Sequence, residues 1–150
     1  VGDELSIRQQ VCFALYAASR AVTDVYRPVL DRFGLTYPQY LVLLVLWERD
    51  GDPTTVKQLG AALWLDSGTL SPLLKRLEAA GLVSRTRSAR DERVVEVGLT
   101  PAGRELREQV RDVPRQVVAA TGLTGPELLA LRDTLHRITE AVHHPQQKEN

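Results

Sequence analysis

Leu82 to Thr100 reads LVSRTRSARDERVVEVGLT, and this stretch decides how the rest of the chain is understood. Two β-rich runs, Leu82 to Thr86 and Val94 to Leu99, flank a polar turn that holds Arg87, Arg90 and Arg93 beside Asp91 and Glu92. That is the pattern of a β-hairpin with a charged tip. The run just before it, Ser67 to Gly81, has helical spacing. Leu70, Leu73, Leu74 and Leu77 fall on one face, while Thr69, Ser71, Pro72, Lys75, Arg76 and Ala79 fall on the other. Asp66 or Ser67 is placed to cap this helix and Gly81 to end it. A polar-faced helix followed at once by a basic hairpin suits a helix lying in a DNA groove with the hairpin against the neighbouring backbone.

Upstream, the apolar positions Val11, Leu15, Ala18, Val22, Val25 and Val29 step by four, three, four, three and four, a heptad-like stripe on one long helix expected from Leu5 to about Phe33. Pro28 marks its last turns and Gly34 its stop. Thr36 and Gln39 have capping-box spacing, with Leu35 and Tyr40 as the hydrophobic staple. The body of that second helix, Tyr40 to Trp47, is apolar on nearly every side and is expected to be central and buried. A turn at Gly51, Asp52 and Pro53 comes next, and Thr55 with Gln58 opens a short helix through Leu65. Beyond the hairpin, Thr100-Pro101 starts a helix running to about Ala120 with an interruption near Pro114. Thr124 and Glu127 box a last helix to about Val142, stapled by Leu123 and Leu128, and Pro145 to Asn150 read as a loose tail.

The expected fold is mainly α with a small β-hairpin wing, ordered α-α-α-α-β-β-α-α: a winged helix-turn-helix with long N- and C-terminal helices. All 150 residues are assigned to one domain, with a DNA-binding core over about 36–100 and dimerisation helices over about 5–33 and 101–143. The long terminal helices carry more apolar surface than the centre can cover. A homodimer presenting two recognition helices to an inverted-repeat operator is therefore expected.

The formal net charge of zero argues against a general nucleic-acid coat. Charge is local instead. Between Ser71 and Arg93, six basic residues (Lys75, Arg76, Arg85, Arg87, Arg90, Arg93) oppose three acids (Glu78, Asp91, Glu92), leaving +3. A basic patch on a neutral protein fits double-stranded DNA bound at one site. The candidate DNA-binding residues are Ser67, Thr69, Ser71, Pro72, Lys75, Arg76, Arg87, Arg90, Asp91 and Arg93. Hydroxyls lie near the helix N-terminus, cations one turn on, and an arginine at the tip is suited to a narrow minor groove, with Asp91 holding Arg93. Taken without their order, these charges read more readily as solvated faces, and the order helix, helix, basic hairpin reverses that preference. No apolar run reaches membrane-span length and the N-terminus lacks a signal-peptide layout, so a cytoplasmic protein without membrane contact is expected. No cofactor is expected. His136, Glu140 and His144, four apart, have the spacing of metal ligands but read as solvated surface residues, so no metal site is assigned.

Asp91-Glu92-Arg93, then Val94 to Val97 and Leu99 to Gly103, resemble the wing of the MarR family of winged-helix regulators, and Leu77 to Val83 extend the likeness. Residues 11–20, Tyr26-Arg27-Pro28, Gly34 to Tyr40 and Leu65 to Leu74 are similar to its organic hydroperoxide sensor branch, OhrR. The match spans about Gln10 to Gly103. The resemblance implies a dimeric repressor whose redox-sensing residue is Cys12, with Tyr16, Tyr26 and Tyr37 as its hydrogen-bond partners. Tyr26 and Tyr37 would reach Cys12 from the partner subunit.

Cys12 is the single cysteine, so no intrachain disulfide exists. On residue type alone, a cysteine beside an apolar helix stripe reads as a small buried hydrophobe. Tyr16, one turn away, and the other phenols point further, because a phenol donating to sulfur favours the thiolate that attacks peroxide. Oxidation gives a sulfenic acid. With no second cysteine, its fate is a mixed disulfide with a small cellular thiol, a cyclic sulfenamide, or overoxidation. Two other readings stand beside this one: a regulator released by a small aromatic ligand with Cys12 inert, and a thiol peroxidase with Cys12 as nucleophile.

Overall fold

The computed structural model describes residues 4–49 and 52–144. A 3-10 turn at Ile7–Gln9 precedes α1 (Val11–Asp31), α2 (Tyr37–Glu48), β1 (Thr54–Thr55), α3 (Val56–Leu63), α4 (Ser67–Ala79), β2 (Val83–Arg87), β3 (Val95–Leu99), α5 (Pro101–Gln109), α6 (Val113–Thr121) and α7 (Gly125–His143). The mainly α architecture with a small sheet is the expected one. The chain divides into two compact units, 1–114 and 115–150, with the boundary inside α6.

The capping signals act where the sequence places them. Thr36 accepts from the Gln39 amide while the Gln39 side chain accepts from the Thr36 amide, and Thr55/Gln58 and Thr124/Glu127 repeat this reciprocal pair. Asp66, rather than Ser67, caps α4, its Oδ1 accepting from Thr69 N at 2.7 Å. Gly34 and Gly81 take left-handed backbone (φ 68° and 74°) just past α1 and α4, the conformation that ends a helix cheaply only at glycine.

Packing of the first unit centres on α2, whose Tyr40, Val42, Leu43, Leu46 and Trp47 are buried. Around it lie Leu30, Leu35, Leu59, Leu70, Leu74, Leu77, Val83, Val97, Leu99 and Leu106 in one core. Leu44 departs from the all-round burial expected of this helix and is 40% exposed. The Trp47 indole crosses to α5 and donates to the Gly103 carbonyl at 2.9 Å. Gly103 is required there, because a Cβ at that position would stand 2.1 Å from the Leu82 carbonyl oxygen. Thr100 ties the same corner, donating to the Gly81 carbonyl at 2.6 Å and accepting from Gly103 N at 3.1 Å.

Four boundaries differ from expectation. Helix α1 begins at Val11, not Leu5, because Gln10 is extended (φ −80°, ψ 109°) and its side chain bonds back to the Glu4 carbonyl. Helix α3 stops at Leu63, where Trp64 turns left-handed (φ 56°) to make the sharp corner into α4. The expected two-stranded hairpin is a three-stranded antiparallel sheet ordered β1-β3-β2, since Thr54 and Thr55 pair with Val97 and Glu96. The interruption expected near Pro114 falls at residues 110–112, and Pro114 sits in the first turn of α6, where a missing amide costs no helical hydrogen bond. Gly51 of the expected turn and the tail Pro145 to Asn150 lie outside the described residues.

Candidate functional site

Helix α4 presents its polar face outward by burying the opposite one. Leu70, Leu74 and Leu77 are buried and Leu73 half-buried, while Ser67, Thr69, Ser71, Pro72, Lys75 and Arg76 are exposed. The Thr69 amide holds the Asp66 carboxyl below the usual carboxylate range, so the cap is ionised at neutral pH. Hydroxyls thus cluster on the first turn, where free amides favour anions, and the cations come a turn later.

The wing is a hairpin with an ordered tip. Residues Val83 to Arg87 pair with Val95 to Leu99 in antiparallel register, Arg85 opposite Val97. Beyond the last pair, Ser88 N donates to the Val94 carbonyl (2.8 Å) and Val94 N to the Asp91 carbonyl (3.0 Å). Arg87 Nη1 donates to the Glu92 carbonyl at 2.9 Å, so this arginine braces the tip. Asp91 Oδ1 accepts from Arg93 N at 3.0 Å and stands 3.8 Å from Arg93 Nε, the expected pairing, and the Arg93 side chain is almost wholly exposed. Arg90 is also exposed, with its amide on Ser88 Oγ at 3.2 Å. The structure therefore gathers the expected DNA-binding residues onto two elements, α4 and the wing tip.

Two residues that the sequence marks only as charges of the basic patch are paired with each other. Arg85 on β2 reaches back to Glu78 on α4, with Nε on Oε2 at 3.3 Å, Nη2 on Oε1 at 3.2 Å, and its own amide on Oε2 at 3.2 Å. These bonds pull the Glu78 carboxyl below its ordinary range. The available signal was geometric: Glu78 is on the last turn of the helix leading into the strand that bears Arg85.

Cys12 is exposed at the second position of α1. Tyr16, one turn on, is also exposed and lies beneath the Arg20 guanidinium, whose carbon is 5.3 Å from the ring centroid. Tyr26 and Tyr37 are elsewhere, with centroids 4.5 Å apart. Tyr40, which the sequence marked only as a staple, completes their cluster at 5.8 Å and 6.4 Å. Burial, with Tyr37 and Tyr40 adding to it, pushes Tyr26 up to about 12, and burial raises Tyr37 and Tyr40 as well. All three phenols are therefore protonated donors at neutral pH. Cys12 and Tyr26 are 14 positions apart on one continuous helix, or about 21 Å at about 1.5 Å per residue. Cys12 and Tyr16 are one turn apart on α1 and Tyr26, Tyr37 and Tyr40 cluster with one another, but the two groups stand apart within one chain.

Among the described residues no group of three or more His, Cys, Asp or Glu is placed to hold a metal ion, and no helix is long and apolar enough to cross a membrane.

Residues 24–110 match the family model described as transcriptional regulator SarA/Rot. The chain is 45% identical over 141 residues to the organic hydroperoxide resistance transcriptional regulator of Bacillus subtilis (strain 168), covering 94% of this chain and 95% of that one. It is 50% identical over 141 residues to the HTH-type transcriptional regulator TtmR of Methylorubrum extorquens (strain PA1), covering 94% of this chain and 71% of the relative. Among solved structures, reduced AbfR bound to DNA superposes with a TM-score of 0.76 at 36% identity, over 92% of this chain and 95% of that one.

Proposed function

We propose a peroxide-released repressor, on the premise that the chain belongs to the MarR-like winged-helix transcription regulators. As such it is a DNA-binding regulator of transcription and not an enzyme, with α4 for the major groove and the wing for the groove beside it. Its place of action is the cytoplasm, with the DNA.

The working unit in this reading is a homodimer on an inverted-repeat operator. Val11 (69% exposed), Tyr16 (61%) and Val22 (36%) lie along α1, and Leu129, Leu131, Ile138 and Val142 along α7, as large hydrophobics that the chain leaves uncovered. The observation that carries the sensing role is the separation of Cys12 from the cluster of Tyr26, Tyr37 and Tyr40. One chain cannot close a gap of two helical heptads, whereas a second copy packed against α1 brings its own tyrosines to the thiol.

In the proposed reaction, the Cys12 sulfur attacks the terminal oxygen of an organic hydroperoxide. The S–O bond forms as the O–O bond breaks, and the alkoxide leaves with a proton as the alcohol. Cys12 becomes a sulfenic acid and the peroxide is reduced. A small-molecule thiol then attacks that sulfur, forming a mixed disulfide and releasing water. The adduct separates Cys12 from the partner's phenols and repacks the interface that spaces the two α4 helices. A hundredfold loss of operator affinity needs about 2.8 kcal/mol of differential stabilisation.

The test is operator binding with and without an organic hydroperoxide, for wild type and Cys12→Ser. Wild type is expected to release DNA while the variant holds it. Release by both proteins would rule out Cys12 as the sensor, and retention by both would rule out peroxide as the signal.

A further inference from the structure

Between α3, α4 and the wing lies an open cleft of about 520 Å³ whose polar lining comes from Thr55, Lys57, Ser71, Arg85 and Arg93. Two of these residues also belong to the DNA-facing surfaces: Ser71 to the exposed face of α4 and Arg93 to the wing tip. What separates a major groove from its neighbouring minor groove is a sugar-phosphate backbone. A duplex that seats α4 in one groove and the wing in the next must lay that backbone across this cleft.

The cleft is chemically suited to it. Lys57, in the first turn of α3, is exposed and makes no ion pair among the described residues. Arg85, which lines the cleft, is held by Glu78 through Nε and Nη2, and this leaves Nη1 of the planar fork for another acceptor. A guanidinium fixed by a carboxylate on α4 moves with α4, so its position is referenced to the helix that enters the major groove.

We propose that Lys57 and Arg85 clamp a backbone phosphate of the operator duplex in this cleft, and that Glu78 is the positioning residue that sets Arg85 for it. The proposal rests on the DNA-binding reading and adds a contact point on the strand between the two grooves. Lys57 and Arg85 supply affinity that is independent of sequence. Glu78 supplies register, since it decides where the strand can lie when α4 is docked.

The probe is the tightest duplex selected from a random pool by the wild-type protein, with a scrambled duplex of equal length beside it. Affinity is measured from about 50 to about 300 mM salt, and folding is checked by thermal melting. Lys57→Ala and Arg85→Ala are each expected to weaken both duplexes about tenfold and to flatten the salt slope, and the double variant to flatten it by about 0.9 per phosphate lost, so by about 1.8 in a dimer. Lys57→Arg is expected to restore the slope. Glu78→Ala is expected to weaken the selected duplex about fivefold while the scrambled one binds no more weakly, because a negative charge has gone from beside Arg85. Wild-type salt slopes in Lys57→Ala and Arg85→Ala would overturn the clamp. Equal weakening of both duplexes in Glu78→Ala would overturn the positioning role. Failure of the wild type to enrich any duplex would remove the DNA reading itself, a separate result.

Discussion

Helices α2 and α7 start alike, each with a threonine cap, a box partner three residues on and a proline in the first turn. Beyond that first turn the two diverge. In 12 residues α2 buries Gln39, Tyr40, Val42, Leu43, Leu46 and Trp47. In 19 residues α7 buries none, and leaves Leu129, Leu131, Ile138 and Val142 in the open. A cap determines where a helix begins because its partners are three residues apart. What covers the helix afterwards is a separate matter: α2 is covered by its own chain, and α7 carries an apolar side that this chain does not cover. In the proposed homodimer the two helices are therefore expected to bear on different equilibria, α2 on folding and α7 on association.

The largest expected effect is at the centre of α2. Leu43→Ala, at a wholly buried position, is expected to cost about 2–5 kcal/mol in the free energy of unfolding. Denaturant titration checks it through a midpoint below that of wild type by a similar margin at every protein concentration. A margin that vanishes on raising the concentration would mean that α2, too, depends on a second chain.

Next comes the double substitution Leu131→Glu, Ile138→Glu on α7. Circular dichroism is expected to keep its helical signal while sedimentation gives the mass of one chain. Operator affinity is then expected to fall at least a hundredfold, about 2.8 kcal/mol. If the mass stays that of a dimer, the uncovered side of α7 is not the association surface and the contrast between the helices loses its meaning.

The same contrast explains how much could be read in advance. The elements bounded by short-range signals were legible: the boxes at Thr36, Thr55 and Thr124, the stops at Gly34 and Gly81, the Asp91–Arg93 pair at the wing tip. Features fixed by distant partners were not. Strand β1 is two threonines long and exists only because Val97 and Glu96, about 40 positions on, offer it a free edge. The Arg85–Glu78 clasp needs the register of the wing against α4. Tyr40 could be seen as a staple, but its place beside Tyr26 depends on how α1 crosses α2. The residues of the proposed sensor, with Tyr26 and Tyr37 reaching Cys12 from a partner subunit, were implied by family resemblance, whereas the grouping of Tyr26, Tyr37 and Tyr40 needed the three-dimensional course of the chain.

The smallest expected effect is at the N-terminal turn of α2, which carries Tyr37 and Tyr40 against Tyr26, a feature with no counterpart on α7. Burial and the two neighbouring phenols raise Tyr26 from an ordinary 10.0 to about 12. Raising a folded-state pKa favours the protonated form, so the contribution is fully present below pH 10.0, where both folded and unfolded chains hold the proton. Between pH 10.0 and about 12 the unfolded chain ionises first and stability falls. Tyr26→Phe has no proton to lose, so its melting temperature is expected to decline less steeply across that interval, while at neutral pH the two proteins differ little. Ultraviolet titration of phenolate should show the late-ionising tyrosine in wild type and its loss in the variant. A Tyr26 that ionised at its ordinary pH would mean that the ring cluster does not shield its hydroxyl from water.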